Sequence, residues 1–157
     1  MNKYETSMRF RVIMFILTAF MISFAFVHSA MPSEVSSNES AGVLGVFQSF
    51  LNSLGFDIKL SHHFIRKLAH FTEYTAIGML LLSCAYSFNR IKPYKYYAQV
   101  LFFGLFTAVC DEAIQLNVEG RAGMITDVLL DFSGVITGAV IMLVAYIIYI
   151  RAKKLGD

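Results

Sequence analysis

Histidine and carboxylate side chains recur along this chain at spacings that place them on one face of a helix. His70 and Glu73 are three residues apart, and Asp111 and Glu112 precede Gln115 by four and three residues. Carboxylates beside a histidine can act as general acids and bases, because burial and like charges move a carboxyl pKa towards neutrality. The candidate catalytic residues are therefore His70, Glu73, Asp111 and Glu112.

Further polar residues in the same segments are candidates for holding a ligand. Arg121 lies in a short connection, and its planar guanidinium could anchor an anionic phosphate or carboxylate. Asp127 and Asp131 are four residues apart, which places both on one face of a later helix. The candidate ligand-binding residues are Lys67, Tyr74, Gln115, Arg121, Asp127 and Asp131.

Aspartate, glutamate and histidine side chains could also hold a divalent cation if they converged from three helices. The chain has no His-Glu-x-x-His motif, however, and Cys84 and Cys110 do not form a Cys-x-x-Cys pair. We therefore assign no metal ligands from the sequence and name no cofactor. Nucleophilic catalysis has less support, because Ser133 lacks the Gly-x-Ser-x-Gly setting of a serine nucleophile.

The segments that carry these residues are apolar enough to lie in a membrane. Hydrophobic residues make up 57% of the 157 residues and charged residues 15%, whereas soluble domains have roughly 25% charged residues. Four runs reach or come close to the roughly 20 residues that a transmembrane helix needs, and they cover about residues 10–27, 64–88, 97–116 and 125–150. We expect an all-α membrane protein with four transmembrane helices, forming one domain over residues 1–157. Gly134 and Gly138, four residues apart in the last run, predict close helix packing.

A shorter amphipathic pattern lies between the first and second runs. Its apolar residues recur at helical spacing opposite polar ones, and they are Val43, Leu44, Phe47, Phe50, Leu51 and Leu54. The pattern predicts a short interfacial helix, either lying on the outer membrane surface or packed over the end of the bundle.

Basic residues between and beyond the runs predict the orientation. Nine of them flank the N-terminus, the connection over residues 89–96 and the C-terminus: Lys3, Arg9, Arg11, Arg90, Lys92, Lys95, Arg151, Lys153 and Lys154. Because basic flanks stay on the cytoplasmic side, both termini are expected in the cytoplasm. The candidate site residues then lie near the outer ends of their helices. Charges facing lipid are unfavourable, so these residues should meet in a polar cleft open to the extracytoplasmic side.

Mutual neutralisation is the alternative explanation for these charges. Lys67, Arg121 and the neighbouring Arg66 could pair with the aspartates and Glu112 and hold the helix ends together without any ligand. The cluster is large, lies at one depth and contains unequal numbers of acids and bases. These features favour a ligand or reaction site over pairing alone.

The order of four motifs resembles the signature of the VanZ-like family of bacterial membrane proteins. The motifs are Lys67 with residues 70–74 (HFTEY), residues 111–115 (DEAIQ), Gly120-Arg121, and residues 127–131 (DVLLD) with Gly134. The resemblance covers about residues 10–150 and implies a small multi-pass protein of the bacterial plasma membrane, with a link to teicoplanin resistance. Members often carry asparagine at the position of Asp131, so this chain has an additional acid there.

Together these observations predict a plasma-membrane protein whose extracytoplasmic cleft handles a lipid headgroup or a lipid-linked cell-envelope molecule. The resemblance adds a glycopeptide antibiotic as a second candidate partner. The alternative is a membrane-embedded enzyme that modifies lipid or envelope molecules by histidine and glutamate acid-base chemistry. Nucleic acid is not an expected partner, because a net charge of +2 on so apolar a chain leaves no basic face for it.

Overall fold

The computed structural model describes residues 5–32 and 61–155, together with residues 35, 42, 44–46, 48, 49, 52 and 53. It contains the α-helices α1 (Met8–Ser29), α2 (His62–Phe88), α3 (Tyr97–Gln115) and α4 (Ile125–Leu155), and a 3₁₀ turn, Pro93–Tyr96, precedes α3. No strand occurs in these described ranges. All four helices are long and apolar enough to cross a membrane. The predicted all-α fold with four spans is therefore confirmed.

The predicted interfacial helix falls mostly outside the described residues. Of its six apolar positions only Leu44 is described, so this helix stays a prediction.

Helices α1 and α2 run antiparallel. At the end of α1, His28 Nδ1 lies 3.1 Å from Oε1 of Glu73, which is in the first half of α2. At the start of α1, Arg11 donates a hydrogen bond of 3.2 Å to the carbonyl of Ser87, next to the last residue of α2. The end of α1 and the start of α2 therefore lie together.

Helix α4 runs parallel to α2. Near their first residues, Lys67 donates to Asp127 over 2.7 Å, and near their last turns Tyr146 donates to Ser83 over 3.0 Å. The end of α1, the start of α2, the end of α3 and the start of α4 thus share one end of the molecule, which we call the polar end. The basic residues at the helix termini and in the connection 89–96 lie at the opposite end, which we call the basic end: Arg9, Arg11, Arg90, Lys92, Lys95, Arg151 and Lys153.

Glycines allow α2 and α4 to touch backbone to backbone. A Cβ added at Gly134 would lie 2.7 Å from the carbonyl oxygen of Phe71, and one added at Gly138 would overlap the carbonyl oxygen of Thr75. Neither contact leaves room for a side chain, because both neighbours are backbone atoms. The predicted role of the glycine pair in close packing is confirmed.

The apolar core lies directly beneath the polar end. Tyr74 and Ile77 of α2 pack with Ala108 and Val135, and all four are fully buried. Large apolar side chains elsewhere on the helices, such as Phe20, point outward, as expected where lipid replaces water around the bundle. The core thus gives the polar side chains above it a rigid support.

Candidate functional site

Three buried ionisable side chains meet between α2, α3 and α4. His70 Nδ1 lies 4.0 Å from Oδ2 of Asp111 and 3.9 Å from Oδ1 of Asp131. His70 is 8% exposed, Asp111 0% and Asp131 1%. We call these three residues the His-Asp-Asp centre. The sequence placed them on separate helix faces, and the structure brings those faces together.

Hydrogen bonds fix one carboxylate of this centre. Asp111 Oδ2 accepts from Ser29 Oγ at 2.6 Å and from Gln115 Nε2 at 3.0 Å. Both donors are buried, so the two bonds hold the carboxylate in one orientation. Sequence reasoning missed Ser29. Its position directly after the first apolar run, at the end of the molecule where the other polar residues lie, was the signal that could have found it.

Glu112, a candidate catalytic residue, holds the connection between α3 and α4. Its Oε2 accepts from the backbone N–H of Met124 at 2.9 Å, and its Oε1 accepts from Gln115 Nε2 at 3.3 Å. Both carboxylate oxygens are therefore engaged within the protein. This geometry suits a residue that positions the connection better than one that exchanges protons with a substrate.

Glu73, another candidate catalytic residue, contacts the first helix. Its Oε1 lies 3.1 Å from His28 Nδ1, and the rings of His28 and His70 are stacked with centroids 6.1 Å apart. A second histidine thus stands beside the His-Asp-Asp centre. The prediction from the sequence gave His28 no role in the site, although this residue lies at the same end of the molecule as the other polar residues.

Lys67 and Tyr74, which were expected to bind a ligand, both have partners inside the protein. Lys67 Nζ lies 2.7 Å from Asp127 Oδ1, and both side chains are partly buried. Tyr74 is fully buried and donates its hydroxyl to the carbonyl of Thr107 at 3.4 Å. The alternative explanation, in which the charged residues neutralise one another, therefore holds for Lys67 and Asp127.

Arg121 is placed at the polar end by a turn that requires glycine. Gly120 has a φ of 74°, in the left-handed region that side chains disfavour. Arg121 then donates from Nη2 to the carbonyl of His28 at 3.3 Å, whereas its Nε and Nη1 are buried without a hydrogen-bond partner. Burial and the nearby Arg66 lower the pKa of Arg121 from its usual value, yet a guanidinium stays charged in proteins.

The space between these side chains is small. A cavity of about 10 Å³ has room for roughly one water molecule or ion. Its lining includes Arg66, Lys67, His70, Gln115, Asp127 and Asp131. The expected cleft is thus closed to anything larger within the described residues, and a headgroup would have to bind at its mouth.

A family described as VanZ/LLP1 matches residues 14–148, a stretch that includes every helix contributing to the polar end. No curated protein and no solved structure gives a significant match. The resemblance read from the four motifs is confirmed by the match, which spans most of the chain. This multi-pass membrane protein belongs to the VanZ/LLP1 family.

Proposed function

We propose that this protein binds the anionic headgroup of a membrane lipid or of a lipid-linked cell-envelope molecule at the mouth of the polar end. The observation that carries the proposal is the pair of buried, unpartnered nitrogens on Arg121. A buried polar group without a partner is unfavourable by about 1–3 kcal/mol. An incoming phosphate or carboxylate could satisfy either nitrogen in a pair of parallel bonds shared with Nη2, because Nε–H and Nη1–H point to different sides of the guanidinium and each lies parallel to one N–H of Nη2.

A second basic group supports the same site. Arg66 lies close enough to Arg121 to lower its pKa by charge repulsion. In the part of the chain that the structure describes, no carboxylate lies within 4.0 Å of either arginine. Lys67, by contrast, is engaged by Asp127. The two arginines are therefore available to an anion, and their mutual repulsion falls when one binds.

The position along the helices favours an amphiphilic ligand. Ends of membrane-crossing helices lie at the level of lipid headgroups, and Arg121 follows the last turn of α3. Exposed apolar side chains continue along the helices below it, including Leu116, Ile125 and Leu129. A headgroup at Arg121 would therefore have its acyl chains beside an apolar surface.

The proposal includes an orientation, with the basic end in the cytoplasm and the polar end outside, since basic residues concentrate on the cytoplasmic side. Single cysteines at Ala122 and Lys92, both exposed and at opposite ends, test it in a background with Cys84 and Cys110 replaced by serine. In intact bacteria we expect an impermeant maleimide to label A122C and not K92C, and permeabilised cells to label both. Labelling of K92C alone in intact cells would invert the proposed orientation.

Lipid binding is tested on the purified protein by native mass spectrometry with phosphatidylglycerol, which is anionic, and phosphatidylcholine, which is zwitterionic. Arg121→Ala loses charge-assisted hydrogen bonds to the headgroup, which contribute about 1.5–3 kcal/mol. We therefore expect this variant to bind phosphatidylglycerol about ten- to a hundredfold more weakly than wild type. Arg121→Lys keeps the positive charge but lacks the parallel donors of the guanidinium, so its affinity for phosphatidylglycerol should lie between those of wild type and Arg121→Ala. Inorganic phosphate added as competitor separates recognition of the phosphate alone from recognition of the whole lipid.

Arg90→Ala is the matched control, because Arg90 is exposed at the basic end. It removes the same charge from the other side of the bundle and should leave phosphatidylglycerol binding close to that of wild type. Equal losses in the two variants, or wild-type binding by Arg121→Ala, would contradict a headgroup site at Arg121.

An enzyme that modifies the bound lipid is the second candidate, and the His-Asp-Asp centre favours it. His70 and the two aspartates could move a proton at a buried position near the mouth. The lipids recovered from the binding experiment serve as the readout, since turnover changes their mass and binding alone does not. Family membership also leads us to propose a link to teicoplanin resistance, which the growth of cells expressing wild type or Arg121→Ala in teicoplanin would test.

A further inference from the structure

Hydrogen bonding within the protein does not account for the His-Asp-Asp centre. Both carboxylate oxygens of Asp131 and Oδ1 of Asp111 are buried without a hydrogen-bond partner. The separations of 3.9 and 4.0 Å from His70 Nδ1 exceed the roughly 2.7–3.2 Å of a hydrogen bond. The three groups therefore surround a common point without satisfying one another.

The composition of the centre matches that of a metal site. One imidazole nitrogen and two carboxylate oxygens, one from each of three helices, lie within 4.8 Å of one another. Such a nitrogen and oxygen set suits Zn²⁺ and Mn²⁺, and two carboxylates neutralise the charge of a divalent ion. A buried unpaired carboxylate is strongly unfavourable, and an ion at this point would remove that penalty from Asp131 and Asp111 together.

Distances permit coordination after a small movement. Three atoms within 4.8 Å of one another surround a point about 2.8 Å or less from each, and a shift of at most about 0.8 Å reaches the roughly 2.0–2.2 Å of zinc bonds to nitrogen and oxygen. The adjoining cavity of about 10 Å³ is lined by His70 and Asp131. That volume holds an ion or a water molecule and excludes larger ligands.

The surroundings orient the ligands as in known metal sites. Ser29 and Gln115 both donate to Oδ2 of Asp111, which leaves its Oδ1 without a protein partner. Hydrogen bonds of this kind fix a ligating carboxylate and tune its basicity. We propose that His70, Asp111 and Asp131 bind one divalent ion of the Zn²⁺ or Mn²⁺ type.

The test measures metal alone, without any lipid ligand. Purified protein is stripped with a chelator, and Zn²⁺ or Mn²⁺ binding is followed by isothermal titration calorimetry, with Ca²⁺ and Mg²⁺ for comparison. We expect one ion per chain for wild type and at least a hundredfold weaker binding for Asp131→Asn and His70→Gln. Zn²⁺ should raise the midpoint of thermal unfolding of wild type and not of Asp131→Asn.

Glu119→Gln is the control, since it removes an exposed carboxylate at the same end of the molecule. It should bind the ion as wild type does, because Glu119 belongs neither to the His-Asp-Asp centre nor to the lining of the adjoining cavity. Absence of stoichiometric Zn²⁺ or Mn²⁺ binding in wild type would overturn the proposal, as would undiminished binding by both variants of the centre. Circular dichroism establishes that each variant is folded, and headgroup binding through Arg121 can succeed or fail separately.

Discussion

Replacing Gly138 with valine should lower the free energy of unfolding by about 3 kcal/mol or more, the largest loss that we expect from a single substitution. Overpacking costs about 1–3 kcal/mol where neighbouring side chains can move aside. At Gly138 the added Cβ would overlap the carbonyl oxygen of Thr75 and lie 2.8 Å from its carbonyl carbon. Backbone atoms inside α2 cannot move without separating the two helices, so the loss should reach the upper end of that range or exceed it.

Denaturation in mixed micelles of increasing SDS content, followed by circular dichroism, measures this loss. Ala145→Val is the control, because Ala145 is exposed on the same helix and valine there meets lipid or detergent. It should change the free energy of unfolding by less than about 0.5 kcal/mol. Equal stability of the two valine variants would mean that α2 and α4 do not touch at Gly138.

The spans were predictable because a membrane imposes a minimum length of apolar chain. A helix such as α4, Ile125–Leu155, can be predicted from composition alone, since an apolar run of roughly 20 residues is typical of a transmembrane helix and rare elsewhere. The glycine pair was predictable for a similar reason, because small residues four apart leave a groove on one helix face. Local sequence determines both features.

Partners within the site were less predictable, because the neighbour of each polar stripe depends on how every helix is rotated. The spacing of His70 and Glu73 gives their common face, but it does not show that Glu73 contacts His28 while His70 faces Asp111 and Asp131. His28 and Ser29 lie in the last turn of α1, where a sequence shows the end of a span without showing what covers it. A helix end becomes part of a site only through tertiary packing.

Asp131→Asn should raise the free energy of unfolding by about 1–3 kcal/mol when it is measured in the presence of a chelator. Asp131 is 1% exposed, and neither of its carboxylate oxygens has a hydrogen-bond partner. Asparagine has nearly the same shape without the charge, so it removes the desolvation penalty of a buried carboxylate. Its amide could also donate to the unpartnered Oδ1 of Asp111.

Asp127→Asn on the same helix should change the free energy of unfolding in the opposite direction. It breaks the partly buried pair with Lys67 and should lower the free energy of unfolding by up to about 1 kcal/mol. The same SDS denaturation compares both variants with wild type. A loss of more than about 1 kcal/mol in Asp131→Asn would show that the carboxylate stabilises the fold. A higher free energy of unfolding in Asp131→Asn would mean that burying the Asp131 carboxylate destabilises the wild-type fold. An acid kept at a buried position despite such a cost is typical of a residue that serves binding or catalysis at the expense of stability.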